Sequence, residues 1–510
     1  MKDIYSKIKN LSELALIIKN LKKQHKKIVH CHGVFDLLHP GHIKHFAAAK
    51  KEGDILVVTV TRDEYVDKGP GRPVFNEYLR AESIAAIECV DFVAINEWPT
   101  AIQTIRLLKP DFYVKGRDYA KKEEDLSRKI FDEERAIKSV SGRIIFTDEI
   151  SFSSSTLINT FLTPYPEEAK EFFERFKKRY SAKDMIETLQ KIRKTKVLVI
   201  GDAIIDEYHY CVGLGKSQKD NIIATKFLKE EVFAGGVLAA ANHLAGFCED
   251  VTLLTCIGNQ NNYRSFIDKH LKPNIKTKFF YRNDAPTVVK RRFVDPAFLN
   301  KLFEICYLKD TSVIPKDLEE KIKHYLEKNL KEFDMALVAD FGHGLITPRI
   351  VKAICKSAKY LALNVQTNSA NIGFNLITKF PRADYICIDE PELRLACHDK
   401  FSDLKKLVNN IHAKTRCGKI IITRGHKGSL VFSQKEGFRE IPVFSKEVVD
   451  RIGAGDAYFS VTSPCALKNI PIEMLGFIGN AAGAIKVLIV GNRASVEPIA
   501  LFKYITTLLK

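Results

Sequence analysis

The chain has 510 residues and a net charge of +18, from 80 Lys and Arg against 62 Asp and Glu. Its length exceeds one ordinary domain, and 45% hydrophobic with 28% charged residues describes a globular chain with a core in each of two or three domains. No run of about 18 uncharged apolar residues is present to cross a bilayer, and the Lys-rich start, which also carries Asp3 and Glu13, reads as a helix rather than a signal peptide. Eleven cysteines are scattered without a C-x-x-C, the usage of reduced thiols in a cytoplasmic protein. The lysines are spread along the chain, with no RNP, zinc-finger or helix-turn-helix signature, so neither nucleic acid nor a membrane is an expected partner. Anionic, phosphorylated small molecules suit the basic excess better.

In chain order, a short apolar strand in KKIVHCHG is followed by a helix at GHIKHFAAAKKEG and a strand at DILVVTVT, a βαβ unit. The alternation continues through helix NEYLRAESIAAIE, strand VDFVAIN, helix PTAIQTIRLLK and strand DFYVKG, and breaks after Phe152. The stretch from Thr163 to Lys196 has two prolines and then charged, amphipathic helical spacing, which predicts a connector. A second α/β pattern opens at KVLVIGDAIIDEY and continues with strands at ALVAD, YLALNV, YICID and KIIITRG. The expected organisation is therefore two α/β domains, 1–160 and 194–510, around a helical connector at 161–193. A cut between Pro166 and Lys194 is expected to separate two self-sufficient halves.

The decapeptide GVFDLLHPGH, residues 33–42, stands where a strand gives way to a helix, the edge at which open α/β sheets bind ligands. Pro40 suits a first helical turn, Gly41 allows close approach, and free N–H groups with the positive helix end favour phosphate. His39 and His42 can donate to phosphate oxygens and to the charge that develops as an α–β bond breaks. His42 and His45 have no third ligand nearby for a metal. These residues, with GRPVFNEYLRAESIAAIECVDFV, KPDFYVKGRDY and FSSSTLIN, resemble the cytidylyltransferase-like nucleotidyltransferases over about 28–160. The resemblance implies a Rossmann-like domain in which His39 and His42 grip a triphosphate and stabilise the transition state. It implies that Gly33, Phe35 and Asp36 shape the nucleotide pocket, with Asp36 buttressing the histidine loop. Lys44, Arg80 and Lys115 would meet phosphates. Ser153, Ser154, Ser155 and Thr156 would donate to the β,γ-phosphates, although the arginine that usually leads this motif is absent.

The second motif is VVDRIGAGDAYFS, residues 448–460. Small residues let backbone amides surround a transferring phosphoryl group at a helix start, and a carboxylate among them can take a proton from an attacking hydroxyl. The full D-x-x-G-A-G-D, with VLVIGDAIIDEY, FAGGVLAAANHLAG, ADFGHGL, TRGHKGSLVF and GNAAGAIKVLIVG, resembles the ribokinase-like (PfkB) carbohydrate kinases over about 194–505. That resemblance implies a ribokinase-like α/β domain with Asp456 as general base and Gly453, Ala454 and Gly455 as anion hole. Thr423, Gly425 and Asn480 would lie near ATP. Asp202, Asp206, Gly235 and Gly236 would border the sugar, and Glu392 would help place magnesium. Lys290 and Arg292, two apart and so on one strand face, suit a phosphate already on the substrate. The chain departs from the pattern at Ala239 and Ala240, where a sugar-binding asparagine is usual, at Asp389-Glu390-Pro391-Glu392 in place of N-x-x-E, and at Ser460 or Val461 in place of a helix glycine.

The pairing resembles the bifunctional ADP-heptose synthases, with the domain order reversed. It implies a cytoplasmic, homo-oligomeric enzyme that phosphorylates a sugar or polyol phosphate with ATP and joins the product to a nucleotide from CTP or ATP. Mg2+ is expected in both halves, and the product would feed surface-glycan synthesis. The alternative is a nucleotidyltransferase whose second domain only binds ligand and regulates.

Overall fold

Ile28 to Cys31, apolar except for His30, which is hydrogen-bonded to Thr59 at 2.8 Å, are all buried and open β1 (Ile28–Gly33), flanked on both edges by parallel strands. The computed structural model describes residues 4–116, 129–147, 165–309 and 313–510, so Ser153, Ser154, Ser155 and Thr156 lie outside the described residues. Two units divide the chain: Met1–Pro164 with Phe502–Lys510, and Tyr165–Leu501.

In the first unit β1 is joined by β2 (Ile55–Thr61), β3 (Phe92–Asn96), β4 (Phe112–Gly116) and β5 (Arg143–Thr147) in the order β3-β2-β1-β4-β5, all parallel. The order reverses between β1 and β4, and ligands of such sheets bind beyond the strand ends at that reversal. Gly33 and Gly116 close those two strands, with Lys115 one residue before the end of β4. The helix Pro40–Lys50 begins at His39, which caps it.

The second unit holds a nine-stranded sheet. Its strands are β6 (Lys196–Gly201), β9 (Asp250–Gly258), β10 (Ile275–Arg282), β13 (Met335–Asp340), β14 (Leu361–Val365), β15 (Tyr385–Asp389), β16 (Lys419–Thr423), β17 (Ser429–Ser433) and β18 (Gly437–Ile441). They run β10-β9-β6-β13-β14-β15-β16-β17-β18, parallel except for the β16-β17-β18 meander. β7 (Ala203–Lys216), β8 (Ile223–Gly236), β11 (Val288–Asp295) and β12 (Asn300–Tyr307) make a separate sheet in the order β12-β11-β7-β8. This sheet is not anticipated from the sequence. Exposed residues come in runs, five in a row in β8 and six in a row in β12, so neither strand shows the alternation that betrays a half-buried one. Among the described residues no helix is long and apolar enough to cross a membrane.

The segment expected to be a helical connector holds the helices Glu167–Phe176 and Ala182–Lys191, and both belong to the second unit. Phe172, Phe173 and Phe176 are buried, with Phe176 stacked on Phe477 at 4.5 Å and Phe173 against Phe444 at 4.8 Å. A cut at residue 183 would therefore strip a wall from this core, which corrects the expected boundary. Phe176→Ala in the full chain is expected to destabilise the second unit by about 3–5 kcal/mol, read as an earlier denaturant midpoint.

Candidate functional site

In the first unit the chain leaves β1 at Gly33, where an added Cβ would lie 2.8 Å from the Phe35 ring. Phe35 takes a left-handed backbone (φ 50°), and its ring meets His42 edge-on at 5.3 Å and Phe46 at 5.0 Å. His39 and His42, one turn apart, stack at 3.9 Å. The Gly41 amide donates to His39 Nδ1 at 3.1 Å, so the proton of a neutral His39 is on Nε2, the nitrogen left free to donate. Burial lowers the His39 pKa. Burial lowers that of His42 to about 3, helped by His39, His45 and Lys68. Burial and Lys115 take His45 to about 4. The cluster is thus neutral at pH 7, a set of N–H donors rather than cations.

Asp36 is buried, accepts from the amides of Val74 at 2.6 Å and Phe75 at 3.2 Å, and pairs with Arg72 at 3.7 Å. It ties the histidine loop to the 72–75 turn. Lys115 is also buried, and its Nζ lies 3.1 Å from Glu133. The structure corrects two expectations. Arg80 is fully buried and donates to the carbonyls of Phe75, Val34 and Thr61 and to Asp63. Its guanidinium therefore knits the loop and is not offered to a substrate phosphate. Lys44 is exposed and lies about 200° around its helix from His42, on another face. Lys68 and Arg72, not singled out from the sequence, lie beside Asp36, and burial lowers Lys68 to about 8. Their only sequence signal is the glycine-flanked K-G-P-G-R-P.

In the second unit Gly453 caps the helix Ala454–Leu467 with φ 79°, a left-handed conformation that disfavours any side chain. Asp456 stands in the first turn, buried, and Gln366 Nε2 donates to its Oδ1 at 2.7 Å. Burial pushes its carboxyl up to about 6, against the pull of Gln366, Lys486 and Lys290. Gln366 also donates to Asn364, which is itself anchored on the Cys387 carbonyl. Sequence reasoning missed this relay, because its members are 90 residues or more from Asp456 or bond only to one another.

Asp202, just beyond β6, accepts the amides of Phe341 at 3.1 Å and His343 at 3.3 Å. Burial raises its pKa and that of neighbouring Asp340, which pairs with Lys379. A small cavity of about 20 Å³ lies between Asp202, Arg282, Thr287 and His343. Asp206 packs so closely on Gly235 that a Cβ there would meet its Oδ2 at 2.0 Å, and Gly236 caps the helix Val237–Ala245.

Three further expectations are corrected here. Arg292 is held by Asp206 at 2.5 Å and Glu304 at 2.8 Å, and this saturates the expected phosphate clamp. Lys290, on the same strand face, is buried and makes no ion pair among the described residues, so it is the cation left for an anionic group. Glu392 turns both oxygens onto backbone amides, of Thr367 at 3.0 Å and Asp389 at 2.8 Å, in a capping box with Asp389. Burial and Asp389 push it up to about 8, and with both oxygens spent on amides it is committed inside the capping box rather than turned outward. No group of three or more His, Cys, Asp or Glu with metal-binding geometry exists among the described residues. Asn480 uses its amide on the Ile441 and Pro442 carbonyls and on Ser429, fixing the wall near Thr423 and Gly425 rather than facing outward.

Arg80→Met is expected to cost about 3 kcal/mol, since it leaves Asp63 and three carbonyls without their donor. A drop in the unfolding midpoint of the full chain checks this.

Residues 30–161 match the Cytidylyltransferase-like family, and residues 194–499, more than half of the chain, match the pfkB family carbohydrate kinases. The bifunctional protein HldE of a Nitratiruptor species is 43% identical over 138 residues, 27% of this chain and 30% of that protein. The bifunctional protein HldE of Campylobacter jejuni is 26% identical over 325 residues, 62% of this chain and 67% of that protein. The match thus spans under a third of the first of these relatives and is the size of one domain. Phosphofructokinase-2 from Escherichia coli superposes with a TM-score of 0.49 at 12% identity, over 61% of this chain and 99% of that one. By its matched length and its D-x-x-G-A-G-D turn, this chain belongs to the pfkB family of carbohydrate kinases, with a cytidylyltransferase-like domain ahead of the kinase domain.

Proposed function

We propose that the chain is a bifunctional enzyme that phosphorylates a sugar or polyol phosphate and then couples the new phosphate to a nucleotide, releasing pyrophosphate. The observation that carries this reading is that each unit has its own phosphate-handling turn at a helix N-terminus: the stacked His39–His42 pair in one, Gly453–Asp456 in the other.

In the kinase unit the substrate hydroxyl attacks the γ-phosphorus of ATP, its proton passes to Asp456, and the bond to ADP breaks. Gln366 keeps the carboxylate aimed, and the amides at the start of the helix receive the charge on the phosphoryl group. Lys290 meets the phosphate the substrate already carries. ATP enters with Mg2+ on its phosphates. In the transferase unit a phosphate oxygen of that product attacks the α-phosphorus of CTP or ATP, and the α–β bond breaks. The nucleophile is already an anion, so no base is needed. His39 Nε2–H and His42 donate to the departing pyrophosphate. Eleven free cysteines suit a reducing cytoplasm.

Incubation with a panel of phosphosugars and each NTP, read by product mass, tests the whole reading. Products carrying no added phosphoryl or nucleotidyl group would overturn it. His39→Ala or His42→Ala is expected to slow pyrophosphate release by about 10²–10³ and leave the kinase rate alone; rates near wild type would refute the assignment.

Asp456→Asn is expected to retain ATP binding and lose phosphoryl transfer. Asp456 must be ionised to accept a proton, so the wild-type kinase rate falls as pH drops through about 6. In the transferase, His42 and His45, held near 3 and 4, give no matching limb between about pH 5 and 8. Identical acid limbs for the two reactions would contradict the separate sites.

A further inference from the structure

We infer that Lys486 is a positioning residue of the phosphoryl-transfer site: its ammonium is a built-in cation that locks the Ile452–Gly455 turn to the Val487–Asn492 turn and so presents the anion-hole amides and Asp456. This rests on the kinase reading.

Lys486, in the last turn of the helix Ile472–Lys486, is 0% exposed. Its Nζ donates to the Ile452 carbonyl at 2.8 Å and the Gly491 carbonyl at 2.6 Å. The amides of the same two residues donate to Asp450, Ile452 N to Oδ1 at 3.1 Å and Gly491 N to Oδ2 at 2.8 Å. One carboxylate therefore gathers two N–H groups and one ammonium gathers the matching two carbonyls. The two turns are closed from both sides of their peptide groups. The amides of Val449 and Asp450 add a further tie to the Val487 carbonyl. The lysine also sets the local shape: a Cβ on Gly453 would lie 3.1 Å from Lys486 Cε and 2.6 Å from Asn492 Oδ1. Asp450 is balanced separately by Lys301 at 2.7 Å and the Tyr208 hydroxyl at 2.7 Å.

A buried ammonium is costly, and burial lowers Lys486 to about 8, against Asp450, Asp456 and Asp206. The titratable groups facing Asp456 are Lys486 and Lys290 on one side of the balance and Asp206 and Glu392 on the other. Removing Lys486 therefore does two things: it orphans two buried carbonyls behind the anion hole, and it withdraws a positive charge that keeps Asp456 ionised.

The test uses the full chain with Lys486→Met, which keeps the length and drops the charge, and Lys486→Ala, which leaves room for an added ammonium ion. Lys486→Met is expected to lower kinase kcat on the order of 10²-fold and move the acid limb to higher pH, with pyrophosphate release unchanged as an internal control. Ammonium chloride is expected to restore at least about a tenth of the lost rate to Lys486→Ala, where sodium chloride does not. A folded Lys486→Met with the wild-type rate and acid limb, or a Lys486→Ala that does not respond to ammonium, overturns the inference. If Lys486→Met does not fold, ammonium-dependent refolding of Lys486→Ala decides in its place, and its absence overturns the inference. If wild type phosphorylates no member of the phosphosugar panel, the kinase reading fails on its own. Lys486 is then judged by whether ammonium strengthens ADP binding to Lys486→Ala, measured by calorimetry.

Discussion

Parallel strands carry their carboxyl ends, and the N-termini of the helices that follow, to one edge of the sheet, and both sites depend on that edge. An anion held there meets unpaired amides and the positive end of a helix before it meets any side chain. The first unit uses the edge at the β1/β4 reversal and the second at the turn into Ala454–Leu467. The side chains need only orient and finish what the backbone begins, which is why two unrelated sequence motifs, H-P-G-H and G-A-G-D, sit in comparable places.

This division explains how the protein treats charge. Despite a net +18, the cations expected at the sites are mostly neutralised: Arg80 by Asp63 and carbonyls, Lys115 by Glu133, Arg292 by Asp206 and Glu304. Taking a guanidinium out of water without a partner costs more than a site can recover, so buried arginines arrive paired. Lys290 and Lys68 are the exceptions that stay near ligand space. The histidines solve the same problem differently, staying neutral in their buried cluster, where His39 keeps its Nε2–H to give.

The strands, helices and both phosphate turns are legible in the sequence because each is local: a turn and the helix it caps follow one another directly along the chain. Partnership is not. Strand alternation puts Lys290 and Arg292 on one face but says nothing of Asp206, 86 residues away, which claims the arginine. Arg80 lies on a helix whose surface pattern gives no sign that its guanidinium runs inward to three carbonyls. Glu392 shows the opposite error. Asp389-x-x-Glu392 spells a capping box in plain view, and reading it as an altered magnesium motif passed over the local chemistry. Exposure hid the small sheet, whose outer strands are too wet on both faces to leave a periodic trace.

The first unit is discontinuous, formed by Met1–Pro164 and Phe502–Lys510. Its late piece sets Tyr504 where a Cβ on Gly69 would touch its ring at 2.0 Å, and Lys503 at 3.6 Å from Asp67. Those residues flank Lys68 in the turn that runs on to Arg72 beside Asp36. During synthesis the early piece leaves the ribosome before Tyr165–Leu501, and the segment that seals this turn follows both. The histidine site is thus begun before the second unit and finished after it. A chain that stops short of its final helix carries every named residue of both reactions and still lacks the support beneath one of them.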